Sequence, residues 1–433
     1  MGTDSECGIA GGSQGSGRDY ISGLPDSILQ SILLRLEGTE EAARTSVVAR
    51  RWRSVWAELP ELSLSMAHGH GPVDAALAAY SAPTVRRLEI KMPQSLWSRR
   101  VAIPADCVSS WLDFASLHLA GELRLKMPFV NMYTKTTREK EEIVLPLCER
   151  VTAIFLTFHG ETLRFRLPAA GVFSALATLS ISNVYVDGQE LEDVLCSRCP
   201  CLKQLVLDAI TVRGGAHVFP IRSDSLERLE VDWKTNIVYR PSHCHFAESG
   251  RHLQRLAITV NYGGWQLMQR FDTVKELVLD VQIEQGIQQY NSFLENTKKL
   301  ATCEVLVARL DIEHACKPTL LHLLRKCAGL RKLVVQVQLG SCMVDYLCKS
   351  LSGCPCGCLE NRRTNNIVLD SLEEVEIRGY GDKVELVRLF VKLSARCEKR
   401  LSITVSESWK ATREEISSIC PPDDKVEIVV RST

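Results

Sequence analysis

Three groups of cysteine and histidine residues in this sequence have side chains of the types that bind zinc. They are Cys196, Cys199 and Cys201, then His243-Cys244-His245, and finally Cys354, Cys356 and Cys358. A structural zinc site usually takes four ligands in pairs that are two to four residues apart, and no group supplies such a set alone. A cysteine at the end of a repeat helix is also commonly a small buried apolar residue. We therefore expect no bound metal or cofactor, with a zinc-stabilised module as an alternative.

The sequence carries no recognisable catalytic motif. A nucleophile elbow, a phosphate-binding loop, a dinucleotide fingerprint and an HExxH motif are all absent from it. The adjacent carboxylates Glu373 and Glu374 fall on a stretch that the pattern predicts to be a solvated strand edge. These features predict a binding protein and not an enzyme.

The amino-acid composition argues against two kinds of binding partner, nucleic acid and membranes. The 52 basic and 52 acidic residues give a formal net charge of zero, so no long-range field favours nucleic acid or an anionic membrane. No apolar run approaches the roughly 20 residues of a membrane helix.

The odd number of cysteines, 17, and the lack of an export signal favour free thiols in the nucleus or the cytoplasm. Residues 1–18 are rich in glycine and serine and are predicted to be a disordered leader.

The sequence of residues 20–60 predicts three short helices, which would carry any binding surface at the N-terminus. Pro25 can open the first helix, because the backbone N–H that it lacks would be unpaired there. Gly38 is expected to end this helix and Thr39 to cap the second. Apolar residues at helical spacing form a stripe on the first helix, namely Ile28, Leu29, Ile32, Leu33 and Leu36. Periodicity alone leaves two interpretations open: a surface for a partner, or an ordinary three-helix subdomain packed on the following region.

The order LPDSILQSILLRL, followed by EEAARTSVVARRWRSVW, resembles the F-box of plant F-box proteins over its whole length. The Leu-Pro start and the arginine-flanked Trp-x(3)-Trp end are specific to that family, whereas Glu37-Gly38 stands where the plant pattern often has a proline. The resemblance implies binding to the Skp-type linker of a cullin–RING ubiquitin ligase. The linker-binding residues that it implies are Leu24, Pro25, Ile28, Leu29, Ile32, Leu33, Leu36, Val47, Trp52 and Trp56.

One pattern, with apolar residues at its first, fourth and sixth positions, returns along the rest of the chain. Its copies begin at Val85, Phe114, Val151, Leu176, Leu202, Leu226, Leu253, Val274, Leu300, Leu330 and Leu372. From 151 to 300 the starts are 21 to 27 residues apart, which is the spacing of leucine-rich repeats. Each unit must stack on its neighbours to bury its apolar faces, so we expect an α/β fold with an irregular solenoid, or horseshoe.

Residues between the buried strand positions are expected to line the concave face of this solenoid, where a protein substrate would bind. The candidate substrate-binding residues are Val206, Asp208, Glu230, Asp232, Val278, Asp280, Val334 and Gln336. Acidic residues in consecutive repeats predict a partner of basic character, and a merely solvated charged face is the alternative.

The C-terminal part is similar to the FBD-type segment of plant F-box proteins with leucine-rich repeats. The stretch GCPCGCLENRR at 353–363 and the strand–helix–strand pattern of 365–405 carry this resemblance. The expected domains are an F-box at 19–64, a solenoid at 65–352 and a capping FBD-like segment at 353–433. The implied function is a substrate receptor of a Skp–cullin–F-box ubiquitin ligase. The alternative is a repeat scaffold whose F-box-like helices only cap the solenoid.

Overall fold

A computed structural model describes most of the chain. The described residues are 21, 23–47, 50–93, 103–129, 142–159, 164–213, 225–232, 252–260, 274–281, 293–295, 297, 300, 302–311, 316–338, 367, 369–379, 383–394, 399–407, 415–416, 418–419 and 425–432. Within these ranges, no helix has the length and apolar character that crossing a membrane requires.

Short α-helices precede the first strand, and further α-helices lie between later strands of the chain. They are α1 (Asp26–Leu33), α2 (Thr39–Arg44), α3 (Trp52–Val55), α4 (Gly71–Ala79), α5 (Ala105–His118), α6 (Gly188–Asp193), α7 (Cys316–Lys326) and α8 (Lys383–Ser394). The first three occupy the segment in which the sequence predicts three short helices, although α1 ends at Leu33 and not at Gly38.

The strands alternate with these helices and with loops along the chain. They are β1 (Glu61–Ser65), β2 (Val85–Lys91), β3 (Leu119–Phe129), β4 (Glu142–Val144), β5 (Ala153–His159), β6 (Arg164–Arg166), β7 (Thr178–Ser182), β8 (Tyr185–Asp187), β9 (Gln204–Asp208), β10 (Thr211–Arg213), β11 (Arg228–Asp232), β12 (Arg255–Val260), β13 (Glu276–Val281), β14 (Val305–Asp311), β15 (Lys332–Gln338), β16 (Glu374–Gly379), β17 (Leu401–Glu407) and β18 (Val426–Ser432).

Fourteen of these strands form one parallel sheet in which the strands lie side by side in chain order. The order is β1, β2, β3, β5, β7, β9 and then β11 to β18, while β4, β6, β8 and β10 form a smaller parallel sheet. Pairing in chain order is what stacked repeats produce. The structure therefore confirms the predicted α/β class, with N-terminal helices followed by a region of parallel strands.

Two columns of apolar side chains run across the large sheet in unbroken register. One column is Leu62, Leu88, Leu123, Ile154, Leu179, Leu205, Leu229, Leu256, Leu277, Leu306, Leu333, Val375, Ile403 and Ile428. The second column lies two residues further along each strand. Both are buried from β1 to β17 and half-buried at the edge strand β18. Full burial of a leucine contributes about 1.5–3 kcal/mol, so these columns are the main source of cohesion between repeats.

Two predicted copies of the repeat pattern are wrong. In the copy Phe114-Leu117-Leu119, the first two residues lie in α5, and Leu117 is exposed. The copy Leu300-Cys303-Val305 is placed three residues too early. In the sheet, Leu306 and Ala308 pair with the buried Leu277 and Leu279, so they occupy the fourth and sixth positions of the pattern. The copies that the sheet uses are Leu119-Leu123-Leu125 and Cys303-Leu306-Ala308.

Gly121 accounts for the irregular copy in β3. The register shifts between Val85 and Arg87, where β3 contains one extra residue. A Cβ atom on Gly121 would lie 2.1 Å from the carbonyl oxygen of Arg86, so only glycine lets the two backbones approach this closely.

The sheet is longer at both ends than the repeat pattern alone indicates. At its start, Leu59-Leu62-Leu64 is a copy of the pattern that the sequence did not reveal, and most of β1 lies inside the range 19–64 expected for the F-box. At its end, β16, α8 and β17 confirm the predicted strand–helix–strand pattern, with Val387 and Phe390 of α8 fully buried. β18 extends the sheet by one further strand.

Candidate binding surfaces

Large exposed apolar side chains are concentrated in the segment that contains the N-terminal helices. Among the described residues nine such side chains are exposed, and six of them lie between positions 21 and 47. These six, called here the N-terminal apolar face, are Ile21, Ile28, Ile32, Leu34, Leu36 and Val47. Single exposed apolar residues are ordinary, but a concentration of them marks an interaction surface.

Helix α1 shows how this face is built. Leu29 and Leu33 are 0% and 2% exposed and point into the core. Ile28 and Ile32, which are also four residues apart, share another side of the helix and are 46% and 41% exposed. The apolar stripe predicted from the sequence is thus wide enough to serve two surfaces, one internal and one external.

The ten residues implied as linker contacts fall into three environments. Those exposed are Pro25, Ile28, Ile32, Leu36 and Val47; those partly buried against the core are Leu24, Trp52 and Trp56; those fully buried are Leu29 and Leu33. Leu29 and Leu33 are therefore corrected from contact residues to core residues, because their side chains offer no surface to a partner.

Sequence reasoning missed two members of the N-terminal apolar face, Ile21 and Leu34. Ile21 precedes the Leu-Pro start of the motif. Leu34 follows the last helical residue, and a helical period extended as far as Leu36 does not include it. The position of Leu34 directly after the end of α1 is a signal that could have identified it, whereas Ile21 stands five residues before α1 begins.

Polar contacts hold the helices that carry this face. Arg51 Nε donates to Asp26 Oδ1 at 2.8 Å and so joins the segment before α3 to the start of α1. Gln30 Nε2 donates to the carbonyl oxygen of Glu58 at 3.2 Å. One arginine of the basic cluster at positions 50, 51 and 53 is thus a link between helices.

The N-terminal helices are also joined to the sheet. The sequence predicts that Thr39 caps α2, but this prediction is wrong, because Gly38 occupies the cap position and Thr39 is the first residue of the helix. Instead, Thr39 Oγ1 accepts a hydrogen bond of 2.8 Å from the backbone N–H of Ser63 in β1. Thr39 is 4% exposed, so this contact fixes the helices to the first strand from within.

The concave candidates form two neighbouring rows across the sheet. In the first row, Val206 pairs with Glu230, and in the second row Asp208 pairs with Asp232. The second row continues through Thr259 to Asp280 and then to Arg309 and Gln336. Thr259 Oγ1 donates to Asp232 Oδ1 at 2.8 Å. The structure therefore brings the acidic candidates together, with an arginine on the strand after Asp280.

Two concave candidates are not accessible. Val278 and Val334 are 3% and 4% exposed, so they are corrected from substrate contacts to buried positions. Parallel strands are commonly buried on both faces, and the continuous apolar runs at 277–279 and 333–335 are of this kind.

Of the three cysteine and histidine groups, only Cys196, Cys199 and Cys201 lie in the part of the chain that the structure describes, and they form no cluster. Cys196 is half-buried, Cys199 is buried and Cys201 is exposed, and the three do not converge on one point. Burial raises the pKa of the Cys199 thiol to about 12, as expected of an inert core cysteine. The groups His243-Cys244-His245 and Cys354, Cys356 and Cys358 lie outside the described residues, as does the predicted leader at 1–18.

Comparisons with known proteins agree with this geometry. The F-box domain family matches residues 21–63, which contain the N-terminal apolar face and the start of β1. A putative F-box/LRR-repeat protein of Arabidopsis thaliana is 30% identical over 195 residues, which are 44% of this chain and 39% of the relative. The chain thus spans about two fifths of that relative's length.

Two further relatives from the same plant match more of the chain. An F-box/LRR-repeat protein is 26% identical over 424 residues, covering 90% of this chain and 88% of the relative. An F-box/FBD/LRR-repeat protein is 26% identical over 295 residues, covering 66% and 65% respectively. The similarity therefore extends from the N-terminal helices through the sheet.

Proposed function

We propose that this chain is the substrate-recognition subunit of a Skp–cullin–F-box ubiquitin ligase, because residues 21–63 match the F-box domain family and the chain is similar to plant F-box/LRR-repeat and F-box/FBD/LRR-repeat proteins. The F-box binds a Skp-type linker, and the solenoid binds the protein to be ubiquitinated. In this role the chain binds both proteins, and the other subunits of the ligase supply the catalytic groups.

The observation that carries this proposal is the N-terminal apolar face. Full burial of one large apolar side chain contributes about 1.5–3 kcal/mol, and these six side chains are between 39% and 87% exposed in the isolated chain. Their exposure is a cost that a partner with an apolar surface would remove. A solvated three-helix subdomain with no partner gives no reason to place so many there.

In this role the receptor acts through proximity. Binding the linker and the substrate at the same time converts ubiquitin transfer from a bimolecular into an effectively intramolecular step, which raises the effective concentration of the substrate. The partly buried hydrogen bond between Thr39 and Ser63 supports this role, because it holds the linker-binding helices in a defined position relative to the first strand.

A repeat scaffold capped by F-box-like helices is the second candidate, and one observation favours it. Leu29, Leu33 and Ala42 belong to the same apolar core as the sheet, so the helices do cover its first repeat. Deleting residues 1–64 cannot separate the two candidates, since the deletion also removes most of β1. Direct binding measurements separate them.

We expect the purified full chain to bind a plant Skp-type linker as a 1:1 complex with a dissociation constant of about 1 μM or lower. The reason is the apolar area that only a partner would bury. Isothermal titration calorimetry and analytical ultracentrifugation measure the affinity and the stoichiometry. A scaffold predicts no complex, and such a result would overturn the proposal.

The substrate surface is proposed on the second row of the concave face. Asp208 and Asp232 stand side by side on paired strands, which are about 4.8 Å apart in a sheet. Adjacent carboxylates favour a ligand that brings positive charge between them. The proposed substrate class is therefore a protein with a lysine- or arginine-rich segment.

Replacing Asp208 and Asp232 together by asparagine is expected to reduce capture of such substrates at least about 5-fold, because asparagine keeps the shape but removes both charges. Proteins recovered with the variant under proteasome inhibition are quantified by mass spectrometry, and linker affinity is expected to stay unchanged. The matched control replaces the exposed Asp113 and Asp193, which lie on helices, by asparagine. Equal capture by the wild type and both variants would refute the assignment of this row.

A further inference from the structure

Three side chains with metal-binding atoms converge beside the N-terminal helices. His70 Nδ1 lies 2.9 Å from Asp74 Oδ2 and 3.5 Å from Cys107 Sγ, and the three atoms lie within 4.8 Å of one another. In the described ranges, no other three histidine, cysteine or carboxylate side chains meet in this way. We propose that His70, Asp74 and Cys107 bind a zinc ion.

The ligands come from two consecutive repeats. His70 stands immediately before α4, and its carbonyl oxygen accepts the N–H groups of Val73 and Asp74 at 2.9 and 3.0 Å. This first turn places His70 and Asp74 on one side of the helix, four residues apart. Cys107 lies in the first turn of α5. Since α4 connects β1 to β2 and α5 connects β2 to β3, an ion here would link two neighbouring repeats.

The two distances from His70 Nδ1 to the other two ligand atoms are close to those of a tetrahedral zinc site. Typical zinc bond lengths place an imidazole nitrogen about 3.6 Å from a thiolate sulfur and about 3.3 Å from a carboxylate oxygen. The observed separations of 3.5 and 2.9 Å differ from these by a few tenths of an ångström at most. A set of sulfur, nitrogen and oxygen ligands suits zinc and not the oxygen-binding ions magnesium and calcium.

A second contact orients the carboxylate of Asp74. Trp111 Nε1 donates a hydrogen bond of 2.6 Å to Asp74 Oδ1, and the Trp111 side chain is 1% exposed. The other oxygen, Oδ2, faces His70. A hydrogen bond from an anchored donor to the outer atom of a ligand is typical of metal sites, where it fixes the ligand's orientation.

The site is accessible from solvent. The side chains of His70 and Asp74 are 43% and 40% exposed, so an ion can enter without unfolding the repeat. Three protein ligands leave one tetrahedral position, which water can occupy.

The competing explanation is a simple hydrogen-bonded pair of His70 and Asp74 with an uninvolved thiol beside it. This explanation predicts no zinc binding at all, whereas the proposed site predicts one bound zinc ion.

Zinc titrated into the metal-stripped full chain tests the proposal. We expect one equivalent to bind and to raise the melting temperature, since the ion joins two packed helices. Cys107→Ser, Asp74→Asn and His70→Gln are each expected to lower the affinity at least about 10-fold. With cobalt as the probe, the sulfur-to-metal charge-transfer absorption disappears in Cys107→Ser, while circular dichroism shows that the variant is folded.

Matched controls separate this site from other donors in the chain. His68→Gln and Cys201→Ser change the same residue types outside the cluster and are expected to leave zinc binding unaltered. The triple variant Cys354→Ser, Cys356→Ser and Cys358→Ser is expected to retain the one equivalent of zinc that depends on Cys107. The proposal is overturned if the wild type binds no zinc, or if bound zinc follows that triple variant or a control and not Cys107.

Discussion

Replacing Ile28 and Ile32 together by aspartate is expected to weaken binding of a Skp-type linker by at least about 100-fold, a loss of about 2.7 kcal/mol or more. Both side chains lie on the exposed side of α1, so the change introduces two carboxylates where a partner would exclude water. Desolvating an unpaired carboxylate costs several kcal/mol. In the free protein these positions remain hydrated, so the fold is expected to persist, and calorimetric titration measures the loss.

Leu117→Asp is the matched control for this variant. Leu117 is 70% exposed on α5 and lies outside the F-box, so the same kind of change there is expected to leave linker affinity within about 2-fold of the wild type. Leu29→Ala gives the opposite contrast, because Leu29 is fully buried and its truncation costs about 2–5 kcal/mol of stability. If the Ile28/Ile32 variant stays folded and binds as tightly as the wild type, the N-terminal apolar face is not the linker site.

Gly379→Ala is expected to lower the free energy of unfolding of the C-terminal repeats by about 3–5 kcal/mol. Gly379 ends β16 with a φ of +91°, and a Cβ atom there would lie 1.9 Å from the carbonyl oxygen of Val337 in the paired strand. The substitution thus adds backbone strain to a steric clash between two strands. Hydrogen exchange across β15 and β16 locates the loss, and urea denaturation measures its size.

Gly69→Ala separates the energetic cost of backbone strain from the cost of a steric clash. Gly69 has a similar φ of +93°, but nothing lies within 4 Å of its added Cβ atom. Its replacement is therefore expected to cost only about 1–2 kcal/mol, the strain alone. Equal losses in the two variants would show that the close approach of Gly379 to Val337 contributes nothing.

The sequence predicts most of the fold because its repeat pattern is both local and periodic. Leu205 and Leu207, for example, are identified as buried from a six-residue pattern, and the sheet pairs them with Leu229 and Val231 as that pattern requires. The two failures arise where the pattern is ambiguous. Phe114 and Leu117 continue the apolar residues of a helix, and 303–308 is so apolar that its alternation cannot be read.

The candidate surfaces were less predictable, because they depend on which side of an element another element covers. Ile28 and Leu29 are adjacent and equally apolar, yet one is exposed and the other fully buried. Nothing in their own types decides this, since the contact of α1 with the rest of the F-box and β1 determines it. Likewise, Cys107 is 37 residues from His70, and only the packing of α5 against α4 brings the two together.

Pairing of strands in chain order also suits folding during synthesis. Each strand of the large sheet needs only its predecessor as a template, so a nascent chain can add one repeat at a time as it leaves the ribosome. The N-terminal helices and β1 emerge before the later strands and offer them a template, held by the contact between Thr39 and Ser63. At every stage a single growing edge awaits the next strand, which limits the unpaired backbone available for aggregation.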